Sequence, residues 1–398
     1  MNIIDNAGTR VDLDELIARY NEREQRRIRK PFTGALLGID MDKTMFDNDL
    51  GVLVFLEKLN DPHFWDFEVD TFAQLLLPRG YRNALIESAQ GYHQDFISPQ
   101  LSQLGLDLYD DCVKDYEEIK RMVESKSVDK DLLRLIILDF ARKMVEFDQI
   151  FICIDKYLGE IFDMPLLMRT RFFAGKELGQ VHQMTKDVMK RNETSVDRII
   201  DLNISPELRQ DLGLKVTDEQ IEEAHGKPSE HQKIDRLVIP INEVRYIVRK
   251  AIREWDDALG VVFTANLHGI GETAVRHSQY DFIKKQGVKG TVMGSKLKRQ
   301  EGVLGPRLEG EPILGKRKAE EAVNFAERTR RHLALTLGDS STTDGPMMRK
   351  ALDGGGSAII VTKDIEDARK RFSTVLRLNE VSEETSRRIY YLIPELAA

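Results

Sequence analysis

The stretch from Leu36 to Leu50 constrains the fold of this chain more than any other. An apolar run ends at Asp40, a second carboxylate follows at Asp42 and a hydroxyl at Thr44. A strand that stops at such a cluster delivers both acids to the carboxyl edge of a sheet, where open α/β folds bind their ligands. Like charges that close are costly unless a cation or a shared proton offsets them. The pair therefore predicts a hard metal ion or acid/base work, against the plainer alternative of a strand end with an acidic turn.

Further apolar segments of strand length lie at Val261 to Thr264, Gly290 to Met293, Leu333 to Leu337 and Ser357 to Val361. Helical patterns from Gly271 to Lys285 and from Gly315 onward separate them. Strands alternating with helices predict a parallel sheet with right-handed crossovers. Gly302, Gly305 and Gly310 punctuate a predicted small hairpin between Ser295 and Pro312.

From Leu59 onward the periodicity is helical instead. Helices are predicted at 99–125, with an acidic face that includes Asp107, Asp111 and Glu118, and at 129–162, 176–191, 195–212, 218–224 and 242–259. Residues 226–231 read as a loop. Aromatic and Met stripes in this region read as core. About 200 residues of helix between one strand and the next is a domain inserted into a domain. The predicted division is an N-terminal helix over 1–30, an α/β core over 31–58 and 260–364, a helical insertion over 59–259, and a helical tail over 365–398. Leu13, Leu16, Ile17 and Tyr20 share one face of the first helix, and Arg26, Arg27, Arg29 and Lys30 complement the dipole at its end.

Composition removes several classes of function. A net charge of −8 over 398 residues, with a pI near 5.7, argues against general nucleic-acid or membrane-surface binding. Cys112 and Cys153 are too few for a disulfide framework or a four-thiolate metal site, so a reducing, cytoplasmic setting is the simplest expectation. Neither an export signal nor a membrane span is predicted. Oligomeric state is left open.

The predicted strand ends carry complementary chemistry: Asp40 and Asp42 after the first, Thr264 after the second, Asp339 and Asp344 after the fourth. In a parallel sheet all of these lie on one edge. Carboxylates suit magnesium, which takes oxygen ligands. A hydroxyl and a lysine would serve a phosphoryl group.

On these residues the chain resembles the haloacid dehalogenase superfamily of phosphohydrolases, and within it the phosphoserine-phosphatase-like group. Asp40-Met-Asp-Lys-Thr44 resembles the first motif, Thr264 the second, Gly315 to Lys318 the third, and Gly338-Asp339 through Asp344 the fourth. Phe172 to Gly175 and Met293 to Ser295 resemble connecting segments of that group. Phosphoserine phosphatases place the second Asp of the fourth motif four residues after the first; here it is five.

The resemblance implies a Rossmann-like core with a helical cap and a magnesium-dependent phosphatase acting on a small-molecule phosphomonoester. Asp40 would be the nucleophile and Asp42 the general acid and base. Asp40, the main-chain carbonyl of Asp42, Asp339 and Asp344 would hold the metal, while Thr264 and Lys318, or Lys316 in its place, would bind phosphate. Asp49 stands where phosphoserine phosphatases carry a substrate-contacting Glu, and Arg169, Arg171, His182 and His93 are further candidate contacts. The alternatives are a phosphotransferase with the same intermediate and an inactive partner-binding protein.

Overall fold

β3 (Gly34–Asp40) reads as an unbroken apolar run because it is buried on both faces: Ala35 through Asp40 are all buried. In the computed structural model it sits inside an eight-stranded sheet. The described residues are 2–19, 34–46, 50–59, 62–92, 99–125, 168–190, 240–255, 257–378 and 380–395, with single positions between 133 and 147. The other strands are β1 (Asn2–Asp5), β2 (Arg10–Val11), β4 (Leu259–Leu267), β5 (Val292–Ser295), β6 (Leu297–Gln300), β7 (Val303–Leu308), β8 (Arg331–Gly338), β9 (Ser357–Val361) and β10 (Ile389–Ile393).

The sheet order is β2-β1-β10-β9-β8-β3-β4-β5. All pairings from β10 to β5 are parallel, and β1 and β2 add an antiparallel edge. From β3 the chain runs outward through β4 to β5, then returns to the other side of β3 for β8, β9 and β10. That reversal makes the carboxyl ends of β3, β4 and β8 a topological switch point, the position where such sheets bind ligands. Leu36, Phe263, Phe325, Leu333 and Met347 build one apolar core on the sheet. Met348, Ile360, Phe372 and Tyr391 belong to another.

Contacts divide the chain into two units. One comprises Met1–Leu50, Val238–Lys296 and Glu309–Ala398; the other comprises Gly51–Leu237 and Leu297–Leu308. The first contains the sheet. The second contains the helices Leu50–Lys58 (from Gly51), Val69–Leu76, Arg79–Ala89, Pro99–Glu124 and Leu178–Lys190. Its core is aromatic, with the Phe72 and Tyr116 rings stacked at 3.9 Å and the Tyr116 hydroxyl donating to the Phe64 carbonyl at 2.9 Å. Phe140, Met144 and Phe147 are buried in it. Among the described residues no helix is long and apolar enough to cross a membrane.

Several expectations are corrected. Residues 1–30 are not simply a helix: β1 and β2 precede a helix that covers 13–19 of the described residues. The tail is not wholly helical, because β10, rich in β-branched and aromatic residues, completes the sheet and pairs with β1. The helix predicted at 271–285 is His268–His277 followed by a 3₁₀ turn at Asp281–Gln286. The break falls at Ser278, whose backbone is extended and whose hydroxyl accepts from Tyr280 N at 3.2 Å.

The helix Asn242–Glu254 joins the unit that holds the sheet, and the β6–β7 hairpin joins the helical unit. Backbone pairing places the hairpin there: Gly175 N donates to Leu304 O at 2.7 Å and Leu304 N to Lys176 O at 2.8 Å. The predicted helices at 195–212 and 218–224, the loop at 226–231 and the basic cluster at 26–30 lie outside the described residues. So does most of 129–162.

Candidate active site

At the end of β3 the ladder to β4 continues for one more residue, with Met41 N donating to Phe263 O at 3.1 Å. The chain then turns tightly, and Met45 N donates back to Met41 O at 2.9 Å. Lys43 adopts φ 55° inside this turn, a left-handed conformation that costs an L residue about 1–2 kcal/mol.

The helix Gly315–Arg328 brings Lys318 to Asp40 from its first turn. Lys318 Nζ donates to Asp40 Oδ1 at 2.6 Å and to Asp344 Oδ1 at 2.5 Å. All three side chains are buried, with exposures of 1%, 8% and 0% for Lys318, Asp40 and Asp344. Lys316, in contrast, is 92% exposed and lies beside Glu320.

Asp344 also organises its own loop. Its Oδ2 accepts from Asp339 N at 3.1 Å and Ser340 N at 3.0 Å, and Thr343 Oγ1 donates to its Oδ1 at 3.2 Å. The five-residue spacing therefore closes on itself through the backbone of 339 and 340. Gly338 is required for this, because a Cβ there would stand 2.6 Å from the Asp344 carboxylate. Asp339 receives Thr44 Oγ1 at 3.4 Å on its carboxylate, and Arg371 donates to its carbonyl at 3.2 Å.

Asp40, Asp339 and Asp344 each offer an oxygen within 4.8 Å of the others. Burial, then the Asp344 charge, pushes Asp40 well above the usual carboxylate range, against the pull of Lys318. The same two causes push Asp339 up to about 6, against Lys43 and Arg371. Burial would lower Lys318, but Asp344 and Asp40 outweigh it and hold the ammonium above its ordinary range. Two buried carboxylates with a partly buried third beside them, and no Cys or His among the three, have the donor chemistry a hard divalent cation requires.

Asp42 is partly exposed and bonded separately. Its Oδ1 accepts from Leu50 N at 3.0 Å, and its Oδ2 accepts from Thr264 Oγ1 at 3.1 Å and Asn266 Nδ2 at 2.8 Å. The structure thus gathers Asp40, Asp339, Asp344 and Lys318 into one cluster and links Asp42 to Thr264. Asn266 was not singled out by the sequence reading. A polar residue two positions beyond Thr264 in a strand was the available signal. Asp49 and His93 lie outside the described residues. Arg171 and His182 belong to the helical unit, as does Arg169.

No protein-family model matches the sequence, and no curated protein does. Among solved structures, the chain is similar to a conserved protein of unknown function from Anaerococcus prevotii DSM 20548, with a TM-score of 0.51 at 14% identity over 95% of this chain and 90% of that one. It also matches a HAD family hydrolase from Salmonella enterica subsp. enterica serovar Typhi (TM-score 0.34, 11% identity, 91% and 81% covered). A protein of unknown function from Bordetella pertussis Tohama I matches with TM-score 0.35 at 11% identity over 85% and 95%. The Anaerococcus structure shows a shared fold; the other two scores are too low for one to follow.

Proposed function

We propose that this chain is a magnesium-dependent phosphatase of the haloacid dehalogenase type, hydrolysing a small-molecule phosphomonoester in the cytoplasm through an aspartyl-phosphate on Asp40. The observation that carries the reading is the buried Lys318 bridging Asp40 and Asp344 at a switch point, with Asp339 beside them. Asp40 and Asp344 buried together, with a third carboxylate beside them, are costly in a protein without a task for them.

In this reading an Asp40 oxygen attacks phosphorus, the new Asp40 O–P bond forms, and the bond to the leaving oxygen breaks. Asp42, within reach of solvent and of Thr264, gives that oxygen a proton and then takes one from the water that cleaves the acyl phosphate. Lys318 and the Thr264 hydroxyl hold phosphoryl oxygens. Asp40, Asp339, Asp344 and the main-chain carbonyl of Asp42 would hold magnesium, which when bound offsets the charge of these carboxylates and of the phosphoryl group. The helical unit, as a cap, would choose the substrate.

The test is phosphate release from a panel of phosphomonoesters, p-nitrophenyl phosphate included. Turnover is expected with magnesium, poor with zinc and absent in excess chelator; full turnover in chelator would sink the reading.

Stability supplies a second check. A carboxylate whose folded pKa is raised binds more protons folded than unfolded, so its contribution to stability falls as pH rises from the unfolded value toward the folded one. For Asp339 that window runs from 3.8 to about 6. Without metal the Asp339 contribution is therefore lost across it, and magnesium should restore more at about pH 7.5 than at about pH 5. Thermal unfolding with magnesium and with chelator at both values measures this. An equal gain at both would contradict metal binding at these carboxylates.

A further inference from the structure

We infer that Asn266 is a positioning residue that holds the Asp42 carboxylate in place for proton transfer, an inference that rests on the phosphatase reading above. Two bonds leave this one residue. Its side-chain Nδ2 donates to Asp42 Oδ2 at 2.8 Å, and its main-chain N donates to Thr264 Oγ1 at 3.1 Å. The Thr264 hydroxyl donates to the same Asp42 oxygen at 3.1 Å.

The Thr264 hydroxyl has one proton, so it cannot serve Asp42 and a phosphoryl oxygen together. When it turns to the phosphoryl group, Asp42 loses a donor at the moment its orientation matters. The Asn266 side chain has no such conflict, because its amide carries two protons and can keep one on Asp42. The residue's main-chain N–H meanwhile occupies a lone pair of Thr264 Oγ1, so that oxygen is held in place while its proton is donated.

The residue is built to stay put. Asn266 is 7% exposed, which shields the amide bond from competing water. Its backbone is pressed against β5, where a Cβ on Gly294 would lie 2.9 Å from the Asn266 carbonyl oxygen. The preceding carbonyl, of Ala265, accepts from Ser295 Oγ at 2.8 Å. Two points of β5 therefore fix the segment that carries the amide.

The experiment uses the full chain with magnesium and p-nitrophenyl phosphate, comparing wild type with Asn266→Ala and with Asn266→Leu, which keeps the approximate shape but removes the donor without adding a charge beside Asp42. Both should lower kcat by roughly 10- to 100-fold through misplacement of the acid and base. KM should stay within about threefold, since the phosphoryl contacts remain. In parallel, the carbon-13 carboxyl resonance of Asp42, assigned with Asp42→Asn, should move in both variants. Wild-type kcat in both, a KM rise that accounts for the whole loss, or an unmoved Asp42 resonance would overturn the inference. If the wild type releases no phosphate, the phosphatase reading fails, and the resonance alone still decides whether Asn266 holds Asp42.

Discussion

Asp40→Asn is expected to abolish phosphate release and to leave no phosphate on the protein, whereas Asp42→Asn is expected to turn over slowly and to accumulate phosphoenzyme. An amide is a far weaker nucleophile at phosphorus than a carboxylate, so the first variant cannot form the covalent intermediate. It should still fold, because an amide oxygen can accept the Lys318 bond that Asp40 Oδ1 accepts at 2.6 Å. Asp42→Asn keeps its main-chain carbonyl and replaces one of two accepting oxygens, and on the proposed function it removes the proton donor and base, a change worth about 10² to 10⁴ in rate. With nitrophenolate as leaving group little protonation is needed, so the first step partly recovers while hydrolysis of the acyl phosphate stays slow. Acid quench after brief exposure to substrate, followed by mass spectrometry of the 34–46 region, measures both. Phosphate on any other residue, or wild-type rates in either variant, would refute the assignment.

The carboxyl-edge residues were legible because their signals are local. β3 and β9 announce themselves as short apolar runs, and Asp40, Asp42 and Asp339 stand at or just past strand ends, although β4 runs on past Thr264 to Leu267. What escaped the reading depends on distant partners. β1 is four residues long and becomes a strand by pairing with β10, nearly the whole chain away. The hairpin's place in the helical unit follows from backbone bonds between Leu304 and the 175–176 segment, which no periodicity reports. Lys316 and Lys318 differ by about 200° around a helix, so only the orientation of that helix separates them. The structure turns Lys318 inward and Lys316 to solvent. Asn266 was hidden for another reason: its role lies in a bond to Asp42, 224 positions earlier.

Lys318→Met should destabilise the protein by about 3–5 kcal/mol near neutral pH, the usual cost of leaving a buried charge without its partner. Asp40 and Asp344 would each lose a charge-assisted bond, at 2.6 and 2.5 Å, in a site with 8% and 0% side-chain exposure. Methionine fills much the same volume, so little of the loss would come from packing. Two features distinguish this electrostatic account from a packing defect. Lowering the pH should recover stability, because protonated carboxylates need no cation and Asp40 already lies well above its usual range through burial and Asp344. Magnesium should also stabilise the variant more than the wild type, since it would supply the positive charge the side chain no longer does. On the proposed function, phosphate release should fall to background even where magnesium restores the fold, because the cation that would hold the phosphoryl oxygens is gone. Urea unfolding at about pH 5 and about pH 7.5, with and without magnesium, separates these outcomes. A loss independent of both pH and metal would mean that Lys318 is held by packing, and that the three carboxylates share no charge problem for it to relieve.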